Sequence, residues 1–151
     1  MFGDLAEARA YRDFVGLETL LGRARVAVGE LPLALVYGGF SMGAAIAQAL
    51  VVSRPGARAA LLVSGALSAG ELGGSWPHGV PAQIHYAADD PLIGEQEVAS
   101  VRDVVAASGA SCAAFGYAGA GHLFADDGLP GFDGDSAGQM WRRIEVFLAD
   151  L

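Results

Sequence analysis

Three side chains of this 151-residue sequence have the types, and follow the order, needed for nucleophilic attack on a carbonyl. The first is Ser41, in the G-x-S-x-G pentapeptide Gly39-Phe40-Ser41-Met42-Gly43. A serine nucleophile on a sharp strand-to-helix turn needs small neighbours, because its backbone is strained and the following helix packs closely on the strand. The hydroxyl needs a base, and the base needs an orienting acid. Of the three histidines, His122 in Gly119-Ala120-Gly121-His122 is the best base candidate. His85 lies among apolar residues and reads as a packing residue, and His78 sits in a long loop beside Trp76. The acid falls in Asp89-Asp90-Pro91, where Asp90 is preferred because the adjoining proline turns the chain back across the strand ends.

Each of these residues also has a plainer reading. Ser41 could be a polar residue in a glycine-rich turn, and Gly38, Gly39 and Gly43 could cradle a phosphate. The order G-G-x-x-x-G, with no lysine after it, disfavours the phosphate. Asp90 could cap a helix. His122 could join Asp126, Asp127, Asp133 and Asp135 in a metal site, but one histidine with flexible carboxylates is a thin ligand set.

The elements that must position these residues follow from hydrophobic periodicity. Leu5 to Val28 has apolar residues at helical spacing and predicts one or two helices. Leu33–Tyr37 is a continuous apolar run ending in glycines, the pattern of a buried strand, and Ala44–Leu50 continues as a helix that stops near Pro55-Gly56. Strands are expected at Ala59–Val63, Ala82–Tyr86 and Cys112–Tyr117, and helices at Glu95–Ala107 and Ser136–Leu151. Ser64 to Val80 is glycine-rich and reads as a loop. Strands alternating with helices imply parallel pairing through right-handed crossovers in a layered α/β domain with helices on both faces. Ser41, Asp90 and His122 then each follow a strand, in the chain order of α/β-hydrolases.

At about 150 residues per domain, the length gives a single domain, residues 1–151. A charged share of 17% is too low for a disordered chain, and a net charge of -8 repels phosphate backbones, so nucleic acid is not an expected partner. The single Cys112 can form neither an internal disulfide nor a zinc cluster, which fits a reducing compartment. Met1-Phe2-Gly3-Asp4 has no basic region ahead of an apolar stretch, so a cytoplasmic location is expected. Leu31 to Ser53 carries no charge, but Pro32, Gly38-Gly39, Ser41 and Gln48 interrupt it, and no membrane span is expected.

The segments Gly39-Phe40-Ser41-Met42-Gly43, Trp76-Pro77, Gln83-Ile84-His85-Tyr86 leading to Asp90, and Tyr117 with Gly121-His122-Leu123-Phe124-Ala125-Asp126 resemble the dienelactone hydrolase family of the α/β-hydrolase superfamily. The resemblance covers nearly the whole chain and implies Ser41, Asp90 and His122 as a triad hydrolysing an ester or lactone, without metal or organic cofactor. It implies the backbone N–H of Met42 as one oxyanion donor. The family's namesake enzymes carry cysteine at the elbow, so Ser41 points to an esterase-like relative; Cys112 reads as a small buried thiol. Family members begin with further strands and a helix that this chain lacks, which makes it N-terminally truncated relative to them and removes the usual second oxyanion donor. The Leu33–Tyr37 strand would then lie at an exposed edge, open to pairing with a second copy. A non-catalytic binding or assembly module, or an inactive fragment, that keeps the elbow but lacks half of the oxyanion hole is the alternative function. Phe40, Trp76, Tyr86 and Phe124 either line a pocket or pack in the core, core being the default.

Overall fold

The computed structural model describes residues 5–151. They fall into two compact units, one up to Pro32 and one from Leu33 to Leu151. The first contains α1 (Leu5–Val15) and α2 (Leu17–Gly29). Gly16 separates them with φ +81, a conformation that costs an L side chain strain, which resolves the one long helical pattern into two helices. Apolar spacing foretold the helices but not their burial: Leu21 is buried, whereas Phe14 is 88% and Val26 79% exposed.

The second unit runs β1 (Val36–Phe40), α3 (Met42–Ser53), β2 (Ala59–Val63), β3 (Ala82–Ala87), α4 (Glu95–Ala107), β4 (Cys112–Tyr117) and α5 (Gly134–Ala149). The four strands form one parallel sheet in the order β1-β2-β3-β4. Register brings Phe40 beside Val63, Val63 beside His85 and Ala87 beside Tyr117, so the C-terminal strand ends line up along one rim of the sheet. Residues leaving that rim are the ones that can converge.

Alternation along the strands divides the core. Val63, Ala87 and Tyr117 join Met140 and Ile144 of α5, with Phe124, in one cluster, against which Leu61 and Phe115 pack. Leu62 and Ile84 point the other way and are fully buried. α3 packs on β1 and β2, and α4 on β4. Helices therefore cover both faces.

Two expected boundaries shift. β1 begins three residues later than the apolar run, with Leu33 57% exposed, and includes Gly38 and Gly39, which belong to the strand rather than to the turn. A Cβ on Gly39 would lie 2.2 Å from the carbonyl carbon and oxygen of Gly43, and one on Gly38 would touch the Leu61 side chain at 3.4 Å. The glycine at position 39 lets α3 start directly on the strand. α5 starts at Gly134 because the Asp133 carboxylate accepts hydrogen bonds from the N–H groups of Asp135 and Ser136.

A polar network ties α5 to the sheet. The Tyr117 hydroxyl lies 2.8 Å from His85 Nδ1, and His85 Nε2 lies 2.9 Å from Gln83 Oε1. An amide oxygen only accepts, so Nε2 carries the proton and Nδ1 accepts from Tyr117. Gln83 Nε2 in turn donates to the Arg143 carbonyl oxygen, and the Arg143 guanidinium covers the Phe115 ring at 4.2 Å. Burial, together with the Arg143 charge, pushes the His85 pKa down to about 4 from an ordinary 6.5. The unfolded chain thus takes up a proton that the folded chain refuses between those values. The contribution of His85 to stability is therefore fully present above about pH 6.5 and falls by about 3 kcal/mol as the pH drops to about 4. Urea unfolding across this range measures it, and His85→Gln flattens the slope; an unchanged slope in that variant would contradict a neutral buried His85.

Candidate active site

Ser41 closes β1 and precedes the first residue of α3. Its φ of 50 and ψ of -117 hold the side chain at a sharp turn, pinned by Ser41 N–H donating to the Val63 carbonyl at 2.8 Å and the Ser41 carbonyl accepting from Ala44 N–H at 3.0 Å. Gly65, which follows β2, presses on this turn: a Cβ there would sit 2.3 Å from the Ser41 carbonyl oxygen. Close glycine contacts on two sides explain why the backbone tolerates the strain.

His122 leaves the loop after β4. Phe124, fully buried with its ring 4.8 Å from that of Tyr117, anchors this loop, and the Phe124 carbonyl accepts from Asp133 N–H at 2.9 Å. Asp90 leaves the turn after β3, where its N–H donates to the Ala87 carbonyl at 3.1 Å.

The three side chains form one hydrogen-bonded row. Ser41 Oγ is 2.9 Å from His122 Nε2, and His122 Nδ1 is 2.6 Å from Asp90 Oδ2. Asp90 Oδ1 accepts from Leu92 N–H at 2.9 Å, so both carboxylate oxygens are engaged and its side chain is fully shielded from solvent. A carboxylate can only accept here, which puts a proton on Nδ1; in the neutral Nδ1–H tautomer the Nε2 lone pair faces the Ser41 hydroxyl. Asp89 is exposed and outside the row. Asp90 does not cap α4, whose N-cap is Gly94 with its N–H bonded to the Glu97 carboxylate at 3.0 Å. Met42 is the first residue of α3, where a backbone N–H has no acceptor within its own helix.

The remaining sequence candidates are placed elsewhere. His85 belongs to the core network, Asp133 caps α5, and among the described residues no three histidine, cysteine or acidic side chains converge on a metal position. Phe124 and Trp76 are core residues, the indole donating to the Val80 carbonyl at 2.7 Å, while Phe40 stays 38% exposed with its ring 6.4 Å from that of Trp141. Burial raises the Cys112 thiol pKa to about 11, which keeps it protonated and inert. Among the described residues no helix is long and apolar enough to cross a membrane.

Sequence reasoning passed over Ser64, the residue after β2. Among the described residues only Ser41, Ser64 and Leu123 are non-glycine positions with positive φ, and the first and last are Ser41 itself and the neighbour of His122. A Ser-Gly pair ending an apolar run is the only local sign of it.

A parallel α/β sheet with a strained serine elbow and a hydrogen-bonded Ser-His-Asp row at its C-terminal rim defines an α/β-hydrolase-like architecture. The model of the dienelactone hydrolase family matches residues 17–151, and the chain belongs to that family. Among solved structures it is similar to a dienelactone hydrolase-like promiscuous phosphotriesterase, P91, from metagenomic libraries, at 20% identity and a TM-score of 0.68, covering 93% of this chain and 64% of that one. It is also similar to a Thermogutta terrifontis esterase, at 19% identity, a TM-score of 0.62 and coverage of 89% and 62%. A Bacillus cereus carboxylesterase matches at 18% identity and a TM-score of 0.57, with coverage of 85% and 59%. These likenesses carry the fold, and the chain spans less than two thirds of the length of each of the three. Functionally curated proteins give no match.

Proposed function

We propose that the protein is a serine hydrolase of carboxylic esters or lactones. The observation that carries the reading is the unbroken row of hydrogen-bond contacts from Ser41 Oγ through His122 to Asp90. Ser41 Oγ attacks the carbonyl carbon while its proton passes to His122 Nε2, and Asp90 stabilises the resulting imidazolium. The carbonyl π pair moves onto oxygen, and the Met42 N–H at the start of α3 donates to that oxyanion. Collapse expels the alcohol oxygen, which takes the proton from Nε2 and leaves Ser41 acylated. Water then repeats the sequence: it loses a proton to His122, attacks the acyl carbon and releases the acid with Ser41 restored. A lactone follows the same course, its alcohol and acid staying in one molecule. No step requires a metal or organic cofactor.

Family membership and structural likeness to esterases support this chemistry. The single unpaired Cys112 fits a reducing, cytoplasmic setting. A second reading, a binding or assembly module that keeps the elbow without turnover, draws on the chain's spanning only 59–64% of those structures, since the second oxyanion donor of α/β-hydrolases comes from a loop outside the elbow. Short-chain aryl esters and a small lactone, assayed beside Ser41→Ala, separate the two. Ser41-dependent release of acid supports the hydrolase; binding of the ester with no such release supports the module.

A further inference from the structure

We propose that Ser64 is a second hydroxyl of this active site, acting as a positioning residue for the His122–Asp90 pair. The inference deepens the hydrolase reading and rests on it for its catalytic consequence. Three independent features single out Ser64.

The first is location. β2 lies between β1, which delivers Ser41, and β3, which leads to Asp90. Ser64 extends β2 by one residue and spans both neighbours: its own N–H donates to the His85 carbonyl at 2.8 Å, while Val63 just before it accepts from Ser41 N–H. Gly65 just after it is in tight contact with the Ser41 carbonyl. The second is strain. Ser64 has φ 51, beside 50 for Ser41 and 60 for Leu123, so positive φ in non-glycine residues marks this residue, the nucleophile and the neighbour of the base. Such conformations persist where surrounding structure enforces them, and they gather at active sites. The third is an unspent hydrogen bond. Ser64 is 2% exposed, and its Oγ is the buried side-chain polar atom left without a hydrogen-bond partner among the described residues. Buried hydroxyls are almost always paired, because leaving one unpaired forfeits its hydration.

A hydroxyl is a neutral rotor that can turn either its proton or its lone pairs outward. Both oxygens of the Asp90 carboxyl group are already engaged, by Leu92 N–H and by His122. When Ser41 passes its proton to His122, an imidazolium appears beside the carboxylate. The Ser64 hydroxyl reorients to this ion pair, and its dipole favours the charged state over the resting one. No proton is exchanged with Ser64, so Ser41 remains the nucleophile.

The test compares wild type with Ser64→Ala, which removes the hydroxyl and keeps the strain, and Ser64→Gly, which removes both and tolerates positive φ. Two readouts are taken on the whole chain: the rate of Ser41 modification by a fluorophosphonate, and the downfield proton resonance of His122 Nδ1–H, assigned with His122→Gln. Both variants are expected to slow modification by about tenfold, the worth of one hydrogen bond to a charged group, and to move the resonance. Modification at the wild-type rate by either variant overturns the proposal, as does an unmoved resonance in both. If wild type itself is not modified, the hydrolase reading fails and the resonance alone decides Ser64.

Discussion

Replacing Ser41 with alanine lowers kcat for a carboxylic ester by about 10⁶-fold and leaves the fold intact. The size follows from what the hydroxyl does: without it no acyl-enzyme forms, and what remains is the help that an N–H donor and a positioned base give to water. Structural neutrality follows from the contacts. The hydrogen bond recorded for Ser41 Oγ is to His122 Nε2, whereas its backbone bonds to Val63 and Ala44 persist in any residue. Alanine at φ 50 is strained as serine is, so the thermal midpoint stays close to wild type. Steady-state kinetics and a melting curve on the same preparation check both halves. A variant that keeps wild-type kcat would remove Ser41 from the chemistry.

Asp90→Asn lowers kcat by about 10⁴-fold at neutral pH with little change in KM. The carboxylate accepts twice, from His122 Nδ1–H and from Leu92 N–H. An amide offers one oxygen and one NH₂ in the same space. If the oxygen stays on Leu92 N–H, the NH₂ faces Nδ1 and the imidazole answers with its other tautomer, protonated on Nε2. Ser41 then meets a donor where it needs an acceptor. Asp89→Asn, at the exposed neighbour, changes kcat little, and the pair of variants measured together isolates the effect to Asp90. Equal losses in both would mean that general negative charge, not the Asp90 hydrogen bond, supports the base.

How far the sequence carried differs by element. The runs Ala59–Val63 and Cys112–Tyr117 coincide with their strands, whereas Ala82–Tyr86, which alternates with the polar Gln83 and His85, falls one residue short because Ala87 continues the strand without a polar or turn residue to mark its end. β1 lay three residues further on because Leu33 is as apolar as a strand residue, while the reason glycines occupy 38 and 39 is the approach of Gly43 and Leu61, a tertiary contact that no local window contains. At the site, the motif and chain order brought forward Ser41 and His122. Preference for Asp90 over Asp89 rested on a weak feature, the following proline; in the structure, Leu92 N–H and His122 fix Asp90 from two sides. Ser64 had only a Ser-Gly pair after an apolar run to announce it. Its strain and burial exist only once β2 is seated between β1 and β3.

The central claim is that the His122–Asp90 pair activates Ser41 within this chain as it stands. Intact mass of the folded 151-residue protein after fluorophosphonate treatment tests it most directly. The account predicts a single adduct that is absent from Ser41→Ala. Folded protein that forms no adduct, or an adduct that persists in Ser41→Ala, would contradict it.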